Sequence, residues 1–355
     1  MNPASIAVTR TEKSRLPETD FNKLEFGKYI SDHMLLCAWE HGKWQLPQIV
    51  PYGPIAFTPA MMALHYGQAV FEGMKAYRMG DGRINIFRPD MHAERFNRSL
   101  QRMAMPEIDH RFFVSCIHAL VKADQDWVPA QEGSALYIRP VVFATEERLG
   151  LKNSDKYLFA ILTGPAGPYF NKPLSVKVEE QYVRAAEGGT GYAKCAGNYG
   201  GAFYPTLLAR QQGYDQVLWT DACNHQYIDE SGAMNVMFVI GEKLITPALT
   251  TAILDGVTRH SILTLARAEG IPVEERKISV DELIHAFDKG LITEAFGVGT
   301  AAVVATIATI GIHGRDYNLP QLQSDSVQER LRRRLNNIRY GREADVFGWN
   351  YIVED

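Results

Sequence analysis

Residues 187–201 read Glu187-Gly188-Gly189-Thr190-Gly191-Tyr192-Ala193-Lys194-Cys195-Ala196-Gly197-Asn198-Tyr199-Gly200-Gly201. Three glycines precede Lys194 and three follow it. Glycine lets the backbone approach closely and take positive φ, at a cost in chain entropy. Such a cluster predicts a tight pocket around an amine. An ordinary lysine, with a pKa near ~10.4, is almost wholly charged at neutral pH. Burial and neighbouring positive charge free the amine to attack a carbonyl. The alternative is a flexible surface loop carrying a solvated lysine, and the rest of the chain decides between the two.

A length of 355 residues suggests two domains. Hydrophobic residues make up 46% and charged residues 22%, the balance of a globular protein with sizeable cores. A formal net charge of −4 argues against a nucleic-acid partner. The basic run Arg330–Arg339 has apolar spacing that fits a helix with a solvated basic face. Cys37, Cys116, Cys195 and Cys223 show no CxxC spacing, and the histidines show no metal spacing, so no metal is expected. Walker A, HExxH and GxSxG patterns are absent, as is a GxGxxG after a strand. No apolar run approaches the ~20 residues of a membrane span. The N-terminus lacks the apolar core of a signal peptide, and a cytoplasmic location is expected.

Along the chain, residues 1–22 are polar and aperiodic and read as a loose arm. Met34–Trp44 reads as a hairpin turning at His41-Gly42. Residues 64–77 end in a strand, and Asp81-Gly82 turns into Arg83–Phe87. A helix opens at Arg88-Pro89-Asp90, and Arg95, Arg98 and Arg102 lie on neighbouring positions of it. They form either a solvated face or a fork for a phosphate. Residues 111–123 are amphipathic. Leu136–Ala144 is a strand in which Pro140 suggests an edge or a bulge. Gly164–Pro173, with three prolines and two glycines, is the domain linker. The expected division is a small domain at 23–164, an interdomain loop at 165–176 and a large domain at 177–355. In the large domain Glu230 sits in an acidic turn between strands. Ile253–Arg259 leads into a helix expected at His260–Ala268, and the glycine and hydroxyl of Gly256-Val257-Thr258 near its start, with free N–H groups and the helix dipole, suit an anion, with an ordinary threonine cap as the alternative. Ser279–Glu282 is a capping box. The Gly299-Thr300-Ala301 turn offers adjacent N–H groups, a nest for anions or a plain turn.

Gly188-Gly189-Thr190-Gly191 with Lys194 and Gly197-Asn198-Tyr199 closely resembles the lysine segment of branched-chain amino acid aminotransferases. The likeness runs in order from about Leu35 to the C-terminus through LHYG (64–67), VFEG (70–73) and YIRP (137–140). The resemblance implies a two-domain fold-type IV enzyme of α/β (α+β) class, dependent on pyridoxal 5′-phosphate (PLP). The smaller N-terminal domain would be α+β, with helices on one side of an antiparallel sheet. The larger C-terminal domain would be α/β and barrel-like. It implies that Lys194 bonds the cofactor and is the catalytic base. Arg95, Val257, Thr258 and Thr300 would hold the phosphate. Tyr199 would bond the phenolate oxygen, and Glu230 the pyridine nitrogen, keeping the ring an electron sink. Tyr66, Phe71, Tyr137, Arg139, Tyr169, Thr300 and Ala301 would line the substrate pocket, with Tyr169 on a loop closing over it. The implied reaction is transamination between branched-chain L-amino acids and 2-oxoglutarate, giving 2-keto acids and L-glutamate, in a homodimer. D-amino acid aminotransferase, aminodeoxychorismate lyase and a non-catalytic scaffold of the same fold are the alternatives.

Overall fold

Residues 135–144 alternate between buried and half-buried positions for nearly their whole length, the mark of a strand with one face on a core. In the computed structural model, which describes residues 6–354, this strand lies near the centre of a ten-stranded sheet. The strands are β1 (Ala7–Val8), β2 (His33–Glu40), β3 (Lys43–Trp44), β4 (Gln48–Pro51), β5 (Ala69–Phe71), β6 (Met74–Arg78), β7 (Ile84–Phe87), β8 (Ala135–Ala144), β9 (Tyr157–Ala166) and, from the chain end, β19 (Asn350–Val353). Their order is β1-β4-β2-β9-β8-β6-β7-β19, with β3 added to β2 and β5 to β8. Helices α1 (Met62–Tyr66), α2 (Pro89–Arg102) and α3 (His110–Ala123) belong to the same unit. Phe96 and Leu100 of α2 and Phe113 and Ile117 of α3 join Met74, Ile86, Ile138 and Phe159 in one core.

The hairpin forms as read, with Glu40 opposite Lys43 and positive φ at both His41 and Gly42, the geometry of a type I′ turn. Pro140 is neither at an edge nor in a bulge. It sits in the central strand β8, opposite the interruption between β5 and β6, where the Glu72 N–H donates to the Pro140 carbonyl. Its N side faces that gap, so the missing donor breaks no ladder bond.

The second unit holds β10 (Leu174–Val178), β11 (Gln216–Thr220), β12 (Ile228–Ser231), β13 (Asn235–Ile240), β14 (Lys243–Thr246), β15 (Val273–Glu275), β16 (Ile292–Gly299), β17 (Val303–Ile312) and β18 (Arg315–Asn318). Its helices are α4 (Gly197–Gly200), α5 (Phe203–Gln211), α6 (Val257–Ala268), α7 (Val280–Asp288) and most of α8 (Val327–Arg339). The sheet is mixed, in the order β12-β11-β10-β17-β16-β13-β14-β15, with β18 on β17. Half of the capping box forms: Ser279 Oγ accepts from Glu282 N at 3.0 Å, whereas the Glu282 carboxylate turns to Arg276. The arginines of α8 are not simply solvated: Arg330 and Arg334 reach Glu269, and Arg332 reaches Glu329. The fold class expected from the sequence is the one the chain adopts.

The units are not consecutive stretches. The first runs to Tyr169 and takes back residues 193–197 and 338–354, so the large domain read as unbroken from 177 to 355 is interrupted twice and is the smaller of the two units. The linker also starts later than read, because β9 continues through Pro165 and Ala166. The return of the C-terminal segment has a physical cause. Strand β19 pairs with β7, and the buried Arg339 guanidinium lies 4.5 Å from the Phe87 ring centroid and 5.6 Å from that of Tyr77. Burial, with Arg339's charge nearby, lowers the amine of the buried Lys75 to about 7.

The arm expected to be loose is tied down where it is described; residues 1–5 lie outside the described residues. Strand β1 pairs with β4, Arg10 donates to the Ala123 carbonyl, and Asp32 accepts from Arg15 N and Ser14 Oγ. Thr11 N donates to His33 Nε2, and His33 Nδ1 meets Asp124 at 2.6 Å. Farther on, the chain at 24–30 lies against glycines of the β9 end. A Cβ at Gly164 would stand 2.0 Å from the Tyr29 carbonyl oxygen, and one at Gly167 would stand 2.7 Å from that of Leu24. Gly164→Ala is therefore expected to lower stability by about 1–3 kcal/mol, read as an earlier urea midpoint; an unchanged midpoint would show that the 24–30 segment yields freely.

Candidate active site

Lys194 is held by its backbone. Its N–H donates to Ser99 Oγ at 2.9 Å, its carbonyl accepts from Phe71 N at 3.0 Å, and Ala196 N donates to the Ala69 carbonyl at 2.9 Å. The short segment therefore lies antiparallel beside β5, with Cys195 opposite Val70 and buried in the first unit's core. Alternation along such a segment sends Lys194 away from Cys195's side. The Lys194 ammonium stands 4.8 Å from the Phe71 ring centroid.

Beside it is a buried ionic cluster. Glu72 has no solvent exposure and Arg95 only 4%. Arg95 Nε donates to Glu72 Oε1 at 2.6 Å and Nη2 to Oε2 at 2.9 Å, a bidentate pair. His92 Nδ1 lies 2.8 Å from Oε2, and Gly73 N donates to the same oxygen. Burial alone would push the Glu72 carboxyl up; Arg95 and His92 overturn that and hold it well below the usual carboxylate range. Burial likewise keeps His92 below its ordinary value, against the pull of Glu72, so it stays neutral. Ser99 Oγ donates to the Arg95 carbonyl while accepting from Lys194, linking helix α2 to the lysine backbone. Of Arg95's donors, Nε and Nη2 face Glu72, so a phosphate contact by Arg95 would fall to the other edge of the fork.

An aromatic wall continues the first unit's half of the site. The Arg139 guanidinium lies 4.7 Å from the Phe71 centroid and donates from Nη2 to Tyr137 Oη at 2.9 Å. The Tyr137 hydroxyl fits because residue 73 is glycine: a Cβ there would stand 2.1 Å from it. Phe26 packs edge-on against both Tyr137 and Tyr169, at 4.8 and 4.9 Å between centroids. Phe71, Tyr137, Arg139, Tyr169 and Lys194 are thus linked contact by contact. Tyr66 is not part of this chain of contacts; its hydroxyl donates to the Leu149 carbonyl, which leaves the ring faces to line a wall.

In the second unit Glu230 lies in strand β12, not in the turn, and is 3% exposed. Its Oε1 accepts from Leu254 N at 2.6 Å and Asn235 Nδ2 at 3.2 Å, and Arg184 Nε is 3.2 Å from Oε2. The neighbouring Asp229 is raised to about 7 by burial and by the charge of Glu230. Helix α6 begins at Val257 with Gly256 as its cap, and Thr258 is buried in the first turn. A Cβ at Gly256 would fall 2.0 Å from Asn235 Oδ1, so the helix start is closed to any side chain there. Its first N–H groups have no acceptor within the helix. Tyr199 is in the short helix α4, whose Asn198 is fixed to Thr190 by bonds of 2.7 and 2.8 Å. Thr300 and Ala301 form the half-buried turn between β16 and β17.

Each unit by itself offers groups of the kind PLP needs: the first an amine suited to an aldehyde and a guanidinium suited to a phosphate, the second a helix N-terminus suited to an anion and a buried carboxylate suited to a ring nitrogen. Residues 69–310 match the family described as amino-transferase class IV. The chain is 44% identical over 339 residues to branched-chain-amino-acid transaminase 1 of Bacillus subtilis, covering 94% of this chain and 95% of that one.

This chain is a class IV aminotransferase.

A second Bacillus subtilis relative, branched-chain-amino-acid aminotransferase 2, is 40% identical over 352 residues, covering 98% of this aminotransferase and 96% of that protein. Among solved structures, the branched-chain aminotransferase of Thermoproteus uzoniensis with norvaline superposes with a TM-score of 0.74 at 26% identity, covering 91% of this chain and all of that one. The Thermobaculum terrenum enzyme in its PLP form gives the same TM-score at 24% identity, a likeness of fold.

Sequence reading did not single out five residues that contact the candidate ones: Glu72, His92, Ser99, Phe26 and Arg184. Glu72 lies inside the VFEG string, and an acid between a large aromatic and a glycine, ahead of an arginine-bearing helix, was an available signal. Phe26 and Arg184 had none, since only folding brings them to their partners.

The Glu72 carboxyl has a lower pKa folded than unfolded, so it adds stability above its ordinary value near 4.5 and loses it as pH falls below that value. Glu72→Gln is expected to cost about 3–5 kcal/mol at pH 7, because it strands Arg95 as a buried cation. Below pH 4.5 the wild type should lose about 1.4 kcal/mol per pH unit that the variant does not. Urea denaturation of both proteins at pH 7, 4 and 3 checks this, and parallel slopes would remove Glu72 as the source.

Proposed function

We propose that this enzyme transfers the amino group of branched-chain L-amino acids to 2-oxoglutarate, giving branched-chain 2-keto acids and L-glutamate. The observation that carries the reading is the Phe71 ring, which has the Lys194 amine 4.8 Å and the Arg139 guanidinium 4.7 Å from its centroid. An apolar surface shared by a reactive amine and a carboxylate-binding group suits leucine in one half-reaction and glutamate in the other. The names of the 40–44% identical relatives support the same substrates.

Bound PLP supplies the aldehyde that takes the amine and the ring that delocalises charge from the substrate Cα. Lys194 Nζ would hold the cofactor and, once released from it, would take the proton from the substrate Cα. Glu230 would face the ring nitrogen and favour its protonated form, and Tyr199 would donate to the ring oxygen. Arg95, the N–H groups of Val257 and Thr258, and Thr300 would receive the phosphate. Phe71, Tyr137, Tyr169 and Phe26 exclude water from an isobutyl side chain, at about 0.8 kcal/mol per buried methylene. Arg139 takes a distal carboxylate, the Thr300-Ala301 turn takes the α-carboxylate, and Tyr66 adds to the substrate wall.

We infer a homodimer in the cytoplasm. Phe203, Tyr204 and Leu207 of α5 are 74%, 56% and 52% exposed, an apolar strip that a second copy would cover. Cys37, Cys116 and Cys195 are buried free thiols, as a reducing compartment allows. No helix among the described residues is long and apolar enough to cross a membrane.

Lys194→Ala is expected to abolish turnover while leaving the melting transition of the apoprotein in place; near-normal turnover would overturn the mechanism. Arg139→Met is expected to slow the glutamate and 2-oxoglutarate half-reaction roughly tenfold to a hundredfold, the worth of a charge-assisted hydrogen bond, with a much smaller effect on leucine. Single-turnover cofactor spectra with L-leucine, L-glutamate and D-alanine measure both this and the chirality. Equal losses for leucine and glutamate would instead assign Arg139 to the α-carboxylate.

A further inference from the structure

Arg184 follows β10 by six residues and is 12% exposed at its side chain. One guanidinium touches three things within the second unit. Its Nε stands 3.2 Å from Glu230 Oε2. Its Nη2 donates to the Gly191 carbonyl at 3.2 Å and also to the Ala252 carbonyl. Those two carbonyls meet because residue 191 has no side chain: a Cβ there would lie 2.3 Å from the Ala252 oxygen and 2.6 Å from Ala185 Cβ. In sequence, Gly191 precedes Lys194 by three residues. Ala252 precedes Leu254, whose N–H holds Glu230, by two, and the Gly256 helix cap by four.

We propose that Arg184 is a positioning residue for transamination: it selects Glu230 as the ionised carboxyl that meets the cofactor's ring nitrogen, and it ties that acid to the backbone segments leading to Lys194 and to the α6 helix start. The inference rests on the reading of Glu230 as the pyridine acid. A proton shared between a ring nitrogen and a carboxylate resides on the more basic partner. A guanidinium 3.2 Å from Oε2 makes the carboxylate less basic, which leaves the proton on the ring. Two adjacent carboxyls compete for the negative charge here, Asp229 and Glu230. Asp229 is the one pushed up to about 7, by burial and then by Glu230, with Arg184 opposing and Asp221 and Glu187 adding to the rise. Direct contact with Arg184, together with the donors Leu254 N and Asn235 Nδ2, decides the competition in favour of Glu230.

The test is a double-mutant cycle on the full-length holoenzyme with Arg184→Met, Glu230→Gln and the combination, and Arg184→Lys as the charge-conserving variant. The PLP dissociation constant, kcat and KM for leucine, and the apoprotein melting curve are measured for each. Arg184→Met is expected to weaken PLP and lower kcat by about tenfold or more while leaving KM for leucine within about twofold. Arg184→Lys recovers part of kcat because it restores the charge. If Arg184 acts through Glu230, the combined variant has a kcat within about twofold of Glu230→Gln alone. Losses that multiply in the combined variant, or Arg184→Met with wild-type kcat and PLP affinity, overturn the inference and leave the Glu230 reading standing. Glu230→Gln at the wild-type rate removes both. Should Arg184→Met fail to give a cooperative melt, the cycle run with Arg184→Lys decides by the same criterion.

Discussion

A carboxylate with no access to water lies at the centre of the first unit's ionic cluster. Glu72 keeps its charge only because Arg95 grips both oxygens and His92 and the Gly73 N–H add two more bonds. Removing two charges from water costs several kcal/mol each, recovered only when geometry and hydrogen bonding are complete. That requirement fixes the interruption between β5 and β6, the α2 helix that carries His92, Arg95 and Ser99, and through Ser99 the backbone of Lys194. The Lys194 backbone is therefore held by a sheet and a helix rather than left in a free loop, as the amine role proposed for it requires.

The second unit repeats the device with another acid. Glu230 is also buried and also faces a guanidinium, but its remaining donors are a backbone N–H and an asparagine amide. Asn235 does double service, holding Glu230 and, through its Oδ1, occupying the space beside Gly256 at the start of α6. In both units a carboxylate–arginine pair organises backbone around it, and the electrostatic cost of burying the acid becomes a constraint on geometry.

Glycines shape both units by what they leave out. Gly73 makes room for the Tyr137 hydroxyl, Gly191 for the meeting of two carbonyls that Arg184 bridges, and Gly164 for the chain that delivers Phe26. The absent side chains are as specific as the present ones, since none of these contacts survives a methyl group without movement.

Much was legible in the sequence because it is local. An apolar run marked β8, a Ser-x-x-Glu pattern marked α7, His-Gly marked the β2–β3 turn, and the glycine cluster singled out Lys194 as a candidate. Each depends on residues within about ten positions of one another, where backbone geometry and propensity suffice. Tertiary structure alone decided the partners. Glu72 and Arg95 are 23 residues apart, Arg184 and Ala252 are 68 apart, and the chain at 338–354 returns to pair with a strand at 84–87. Buried charges find counter-charges wherever the fold brings them, and no periodicity records that. Pro140 shows the same limit: a proline read as an edge signal sits in a central strand because a gap in the neighbouring strand, invisible from its own sequence, spares it the hydrogen bond it cannot make.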